Sequence, residues 1–117
     1  MKPLHTIGII GSGAWGTALA GAMQAAGKKV VILSRNPDVV REINDRHRNT
    51  RYLPDVVLHD GIEATTDDGK IESCDALLLA VPAQYLRKTA EHLAKHVASN
   101  IPLIICAKGI ETQTGKL

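Results

Sequence analysis

Short apolar runs alternate with longer mixed segments along most of this chain. Residues 6–10 read Thr-Ile-Gly-Ile-Ile and end at Gly11. β-branched residues closed by a glycine predict a strand. Residues 14–26 are rich in Ala, Leu and Met, which predicts a helix, and Gly27 suits its end. A second apolar run at 30–33 predicts another strand. Asn36-Pro37 is a helix-start signal, because Asn can cap and Pro fits the first turn. Val39, Val40 and Ile43 then give a short helix its apolar stripe.

The pattern weakens over residues 46–69. Residues 46–51 are polar and irregular, and the following stretch supports a loop with two short strands, near 56–58 and 62–65. Periodicity returns at 76–81, a continuous apolar run that fits a strand buried on both faces and stopped by Pro82. Leu86, Ala90, Leu93 and Val97 recur at helical spacing, predicting an amphipathic helix over 83–98. Residues 103–106 are the next strand. Such alternation predicts an α/β domain of the doubly wound Rossmann type: a mostly parallel sheet with helices on both faces. The last strand is apolar enough to want cover, and residues 112–117 look like a helix beginning. The chain is therefore expected to be a single truncated domain, 1–117, or one that needs a partner surface.

Composition narrows the function classes. The chain has 117 residues, 44% hydrophobic and 22% charged, with no Phe, so an aliphatic core must serve. A net charge of +2 gives no case for nucleic acid or an anionic membrane. The arginines of 46–51 lack aromatic interleaving and read as a solvated turn rather than an RNA contact. No run approaches the roughly 20 apolar residues of a membrane span. Two isolated cysteines, Cys74 and Cys106, make neither a disulfide framework nor a metal motif, and without a secretory signal a cytoplasmic location is expected. His92 and His96 stand four apart on a predicted helix, which is metal-ligand spacing. With no cysteine or acid at matching spacing, they read as a solvated helix face and no metal is expected.

The chemistry concentrates in Gly11-Ser12-Gly13-Ala14-Trp15-Gly16, a G-x-G-x-x-G run between a strand and a helix. In that context Gly11 permits the tight turn, Gly13 lets backbone approach a pyrophosphate, and Gly16 lets helix and strand pack closely. The helix N-terminus then faces the phosphates. Trp15 is either a wall of the cleft or simple packing at the sheet edge. The end of the second strand reads Leu33-Ser34-Arg35-Asn36, with no acid until Asp38. NAD-binding domains commonly carry an acid there for the ribose hydroxyls. Ser34 and Arg35 suit a 2′-phosphate instead, so NADP(H) is preferred and NAD(H) possible. The competing reading of Arg35 is a solvated charge. Pro82 is a strand terminator or a wall beside the nicotinamide. Lys108 can reach a phosphate or substrate oxygen, or lie exposed in a loop.

Taken together, these residues resemble the bacterial NAD(P)-dependent glycerol-3-phosphate dehydrogenases. The resemblance rests on residues 9–20 around the glycine motif, Ser34-Arg35, Asn49-Thr50-Arg51-Tyr52-Leu53-Pro54, Ala80-Val81-Pro82-Ala83 and Ala107-Lys108-Gly109-Ile110-Glu111. It implies an oxidoreductase that reduces dihydroxyacetone phosphate to sn-glycerol 3-phosphate for phospholipid synthesis. It also implies NADPH contacts from Ala14, Trp15, Arg35 and Lys108, with Tyr52 as a further candidate. Lys108 would also touch the phosphate substrate. Many members carry Ser where this chain has Ala14, a change harmless to a backbone contact. The family's catalytic lysine lies in a helical C-terminal domain beyond Leu117, so the resemblance places no catalytic residue here. The chain is expected to bind NADPH without turnover, and its full-length form to be a homodimer. Rival readings are a non-catalytic NADP-binding module, another reductase of the superfamily, and a methyltransferase binding S-adenosylmethionine. The last usually wants an acid where Arg35 stands.

Overall fold

The structure is a computed structural model that describes residues 4–97 and 100–106. Its main sheet has five strands: β1 (Thr6–Ile10), β2 (Lys29–Leu33), β5 (Ile62–Thr65), β6 (Ala76–Leu79) and β7 (Leu103–Ile105). Their order is β5-β2-β1-β6-β7 and every pairing is parallel. Helix α1 (Ala14–Ala25) joins β1 to β2, and α2 (Pro37–Arg46) follows β2. The chain then leaves the sheet for a small antiparallel pair, β3 (Arg48–Asn49) and β4 (Leu53–Val57). A 3-10 segment, Asp68–Ser73, leads into β6, and α3 (Leu86–Leu93) lies between β6 and β7. This is the doubly wound α/β architecture that the alternating pattern predicts.

The central strands β1, β2 and β6 bury both faces, and their side chains divide by parity. Ile7 and Ile9, Val30 and Ile32, and Ala76 and Leu78 join one core with Ala20, Val39 and Ile43 of α1 and α2. Ile10, Leu33, Leu77 and Leu79 point the other way, into a core completed by Ile71, Cys74 and Leu93. Full burial of one such aliphatic side chain contributes about 1.5–3 kcal/mol. The period of two thus places α1 and α2 on one face of the sheet and α3 with the 3-10 segment on the other.

Three regions differ from the sequence expectation. The helix expected over 83–98 is shorter: a 3-10 turn, Ala83–Tyr85, precedes α3, which ends at Leu93. Its stripe survives, since Leu93 is fully buried and Leu86, Ala90 and Val97 pack against the same core. The second of the two expected loop strands is β5, an edge strand of the main sheet on β2. The Asn44 side-chain amide holds it, donating to the Ala64 carbonyl at 2.9 Å and accepting from its N–H at 2.8 Å. The first pairs with Arg48 and Asn49, inside the stretch expected to be a solvated turn. Asn49 is fully buried.

β7 is exposed along its length, with Leu103, Ile104 and Ile105 at 40%, 46% and 61%.

Candidate functional site

β1 pairs with β2 on one side and β6 on the other, so the strand order reverses at β1. Ligands of open α/β sheets bind outside the carboxyl ends of the strands at such a reversal. A cleft of about 940 Å³ opens there. Its walls include Gly11, Ser12 and Gly13 of the turn, Ser34 and Arg35 after β2, Tyr52, Pro82 after β6, and His92 of α3. Seven of the sequence-predicted positions therefore meet in one space.

The glycine turn is fixed by close backbone contacts. Gly11 has φ +115°, and a Cβ there would lie 2.5 Å from the Ala80 carbonyl oxygen. A Cβ on Gly16 would lie 2.3 Å from the Gly11 carbonyl oxygen. Only glycine admits these approaches. At Gly13 a Cβ would meet nothing within 4 Å, so the backbone opens onto free space. Gly13 is also the N-cap of α1; among the described residues no side chain caps the helix, and its first turn holds no acid. The first N–H groups of a helix have no partner within it and carry its positive end. This arrangement fits a bound pyrophosphate.

Ala14 opens α1 and is exposed. Trp15 is 41% exposed, and its indole Nε1 donates to the Cys106 carbonyl, bridging the turn to the end of β7. The ring stands beside the turn without lining the cleft. Tyr52 is exposed on the cleft wall, with the Arg51 guanidinium 5.6 Å from its ring centroid. Lys108 lies outside the described residues.

Ser34 and Arg35 part company. Ser34 is only 2% exposed. Its hydroxyl lies 2.7 Å from the Ser12 hydroxyl and accepts from the Asn36 N–H at 3.1 Å. It ties the end of β2 to the glycine turn rather than standing open to a ligand. Arg35 reaches into solvent, with its side chain 66% exposed, and Nη1 lies 3.3 Å from Asp68 Oδ1. That acid comes from the segment before β6, so the local absence of acids until Asp38 does not describe the space around Arg35. Asp68 Oδ2 in turn lies 2.6 Å from His92 Nε2. The His92 hydrogen bond, helped by Arg35, holds the Asp68 carboxyl below its ordinary value against the opposing effect of burial.

Two contributors escaped the sequence reading. Asn49 Nδ2 donates to the Ser12 carbonyl and to Thr17 Oγ1, both at 2.8 Å, and Thr17 Oγ1 donates to the same carbonyl at 3.2 Å. A buried amide thus braces the glycine turn from below. Asn49 opens one of the stretches that carry the resemblance, but nothing local in that basic run marks it as buried. The second is Asp68, whose carboxylate links Arg35 to His92 across 33 and 24 residues. No helix among the described residues is long and apolar enough to cross a membrane.

Comparison with known proteins adds to this geometry. Over 111 residues the chain is 45% identical to the glycerol-3-phosphate dehydrogenase (NAD(P)+) of Maricaulis maris, covering 95% of this chain and 33% of the relative. The enzyme of the same name from Paramagnetospirillum magneticum is 47% identical, with 95% and 40% covered. The crystal structure of glycerol-3-phosphate dehydrogenase from Coxiella burnetii superposes with a TM-score of 0.79 at 27% identity, covering 97% of this chain and 38% of that one. The chain thus spans between a third and two fifths of the length of these relatives. Residues 6–117 match the family described as NAD-dependent glycerol-3-phosphate dehydrogenase N-terminus, and the chain belongs to that family.

Proposed function

We infer that residues 1–117 are the NADP(H)-binding part of a glycerol-3-phosphate dehydrogenase. The observation that carries this reading is the uncapped N-terminus of α1, opening at the strand reversal into a cleft that ends at Arg35. Backbone N–H groups of the turn, from Gly13 through Ala14 and Trp15 to Gly16, hold the pyrophosphate. Ser12 and Ser34 shape its floor. Arg35 takes the 2′-phosphate of the adenosine ribose, a planar donor on an acceptor it can fork. Tyr52 borders the same cleft. Pro82, after β6 on the cleft wall, would border the nicotinamide, and Lys108, by the resemblance, would contact the cofactor and the phosphate of the substrate.

A bound NADPH supplies the hydride that reduces a carbonyl carbon to an alcohol. In the whole enzyme the substrate is dihydroxyacetone phosphate and the product sn-glycerol 3-phosphate, a precursor of phospholipids. This chain's residues bind and orient the cofactor. The general-acid lysine belongs to a helical substrate domain outside residues 1–117. The names of the matched relatives, which specify NAD(P)+, support cofactor use of this class. The longer enzyme is cytoplasmic and homodimeric in this reading.

Titration of the purified protein with NADPH and NADH, followed by Trp15 fluorescence, tests it. NADPH binds more tightly than NADH. In Arg35→Asp, NADPH affinity falls by about tenfold or more, since a charged hydrogen bond contributes about 1.5–3 kcal/mol, and the preference reverses. Tighter binding of NADH by the unaltered protein overturns the assignment of Arg35.

A further inference from the structure

Beside Arg35 the rim of the cleft carries a cluster that cofactor binding does not use. Asp68, His92 and His96 each offer one metal-ligating atom, and these three atoms all lie within 4.8 Å of one another. The His92 and His96 rings stand 5.7 Å apart, centroid to centroid. Glu72 Oε2 lies 3.5 Å from His96 Nδ1, so a second carboxylate is at hand. The two histidines come from the end of α3 and the turn after it, and both acids from the segment Asp68–Ser73. Sequence spacing brought the histidines together, but only the fold brings the acids to them.

We propose that Asp68, His92 and His96 form a binding site for a divalent transition metal of the zinc type. Two imidazoles and a carboxylate suit Zn²⁺, Co²⁺ or Ni²⁺, whereas Mg²⁺ and Ca²⁺ want oxygen ligands alone. Zinc bonds of about 2.0–2.2 Å in a tetrahedron hold ligand atoms roughly 3.3 Å apart. The 2.6 Å contact between His92 and Asp68 must open and the wider separations must close, each by about 1.5 Å or less. Side-chain rotation supplies such movements. The backbones stay put, because Ile71 and Leu93, each flanking the ligands, are fully buried in one core. Partial exposure of the ligands leaves an entry path, with side chains of His92 and His96 at 39% and 29%. Glu72 or water completes the fourth position. An ion there cross-links α3 to the segment before β6.

The test is a calorimetric titration of the purified protein with Zn²⁺, with thermal unfolding and ¹⁵N imidazole spectra alongside. One equivalent binds, the midpoint of unfolding rises with Zn²⁺ concentration, and the ring nitrogens of His92 and His96 shift. His92→Ala, His96→Ala and Asp68→Asn each weaken binding by about tenfold or more and remove the thermal shift. These side chains are part-exposed and outside both hydrophobic cores, so circular dichroism of the variants stays native and separates lost ligation from lost fold. Absence of Zn²⁺ binding overturns the site and leaves a purely structural hydrogen-bond network. Unchanged binding in the double variant His92→Ala/His96→Ala also overturns it, assigning the metal to thiols or other imidazoles.

Discussion

The glycine turn and the far end of β2 face the same cleft and are built in opposite ways. The turn is made of backbone and is packed from beneath. Gly11 and Gly16 touch carbonyl oxygens at distances that exclude a side chain, and Asn49 braces it from a fully buried position. The end of β2 is wet and made of side chains: Arg35, largely exposed, is held at one nitrogen by Asp68. Consecutive residues make the same contrast on a smaller scale. Asn49 makes two side-chain hydrogen bonds in the interior. Thr50 makes two to Glu42 at the surface, through N–H at 2.9 Å and hydroxyl at 2.7 Å. Hydrogen bonds of similar length differ in worth because water competes for one pair and not for the other. The rigid part of the cleft suits what every dinucleotide shares, the pyrophosphate. The adjustable part suits what distinguishes one dinucleotide from another.

The largest effect comes from breaking the backbone turn. Gly11→Ala combines a φ of +115° with a Cβ placed 2.5 Å from the Ala80 carbonyl oxygen. Backbone strain and forced displacement each cost about 1–3 kcal/mol, so a loss of roughly 2–6 kcal/mol is expected in urea unfolding. A change under about 0.5 kcal/mol, the range of ordinary surface substitutions, would show that the turn yields easily. Asn49→Ala comes next. It strips the Ser12 carbonyl of a buried donor and leaves Thr17 with one partner fewer, costing about 1–3 kcal/mol. NADPH affinity falls with it, because the turn loses its brace. Stability loss with unaltered NADPH affinity would separate Asn49 from the site.

The smallest effect belongs to the wet side. The Thr50 hydrogen bonds hold the Glu42 carboxyl below its ordinary value. A carboxylate whose folded value is depressed contributes stability that is fully present above the unfolded glutamate range. That contribution disappears as pH falls through the folded value. Glu42→Gln is therefore slightly less stable than the unaltered protein at neutral pH, and the two converge on acidification. A thermal-unfolding difference that stays constant across this range would assign the effect to packing instead of charge.

Much of this molecule is legible in one dimension. Runs such as 6–10 and 30–33 announce strands because an aliphatic segment bounded by glycine has few other stable uses. Asn36-Pro37 announces α2, and the Asn36 side chain does accept from the Asp38 N–H at 2.9 Å. The glycine motif declares its turn because each glycine answers a local steric demand. Residues 46–69 were opaque because nothing local decides them. β5 owes its place to β2 and Asn44, and β3 exists only because Asn49 is drawn under the turn. The polar composition of 46–51 describes most of its side chains correctly and conceals the one that matters.

The sequence by itself determined the order of elements, the burial of strands by parity, and the turn that faces a phosphate. Each follows from nearest-neighbour sterics or from a short hydrophobic period. Tertiary structure alone decided the surroundings of the charged groups. It brought Asp68 to Arg35 and His92, and it turned Ser34 inward toward Ser12. Electrostatic partners are set by distance in space, and chain spacing carries no record of a contact made across 24 or 33 residues.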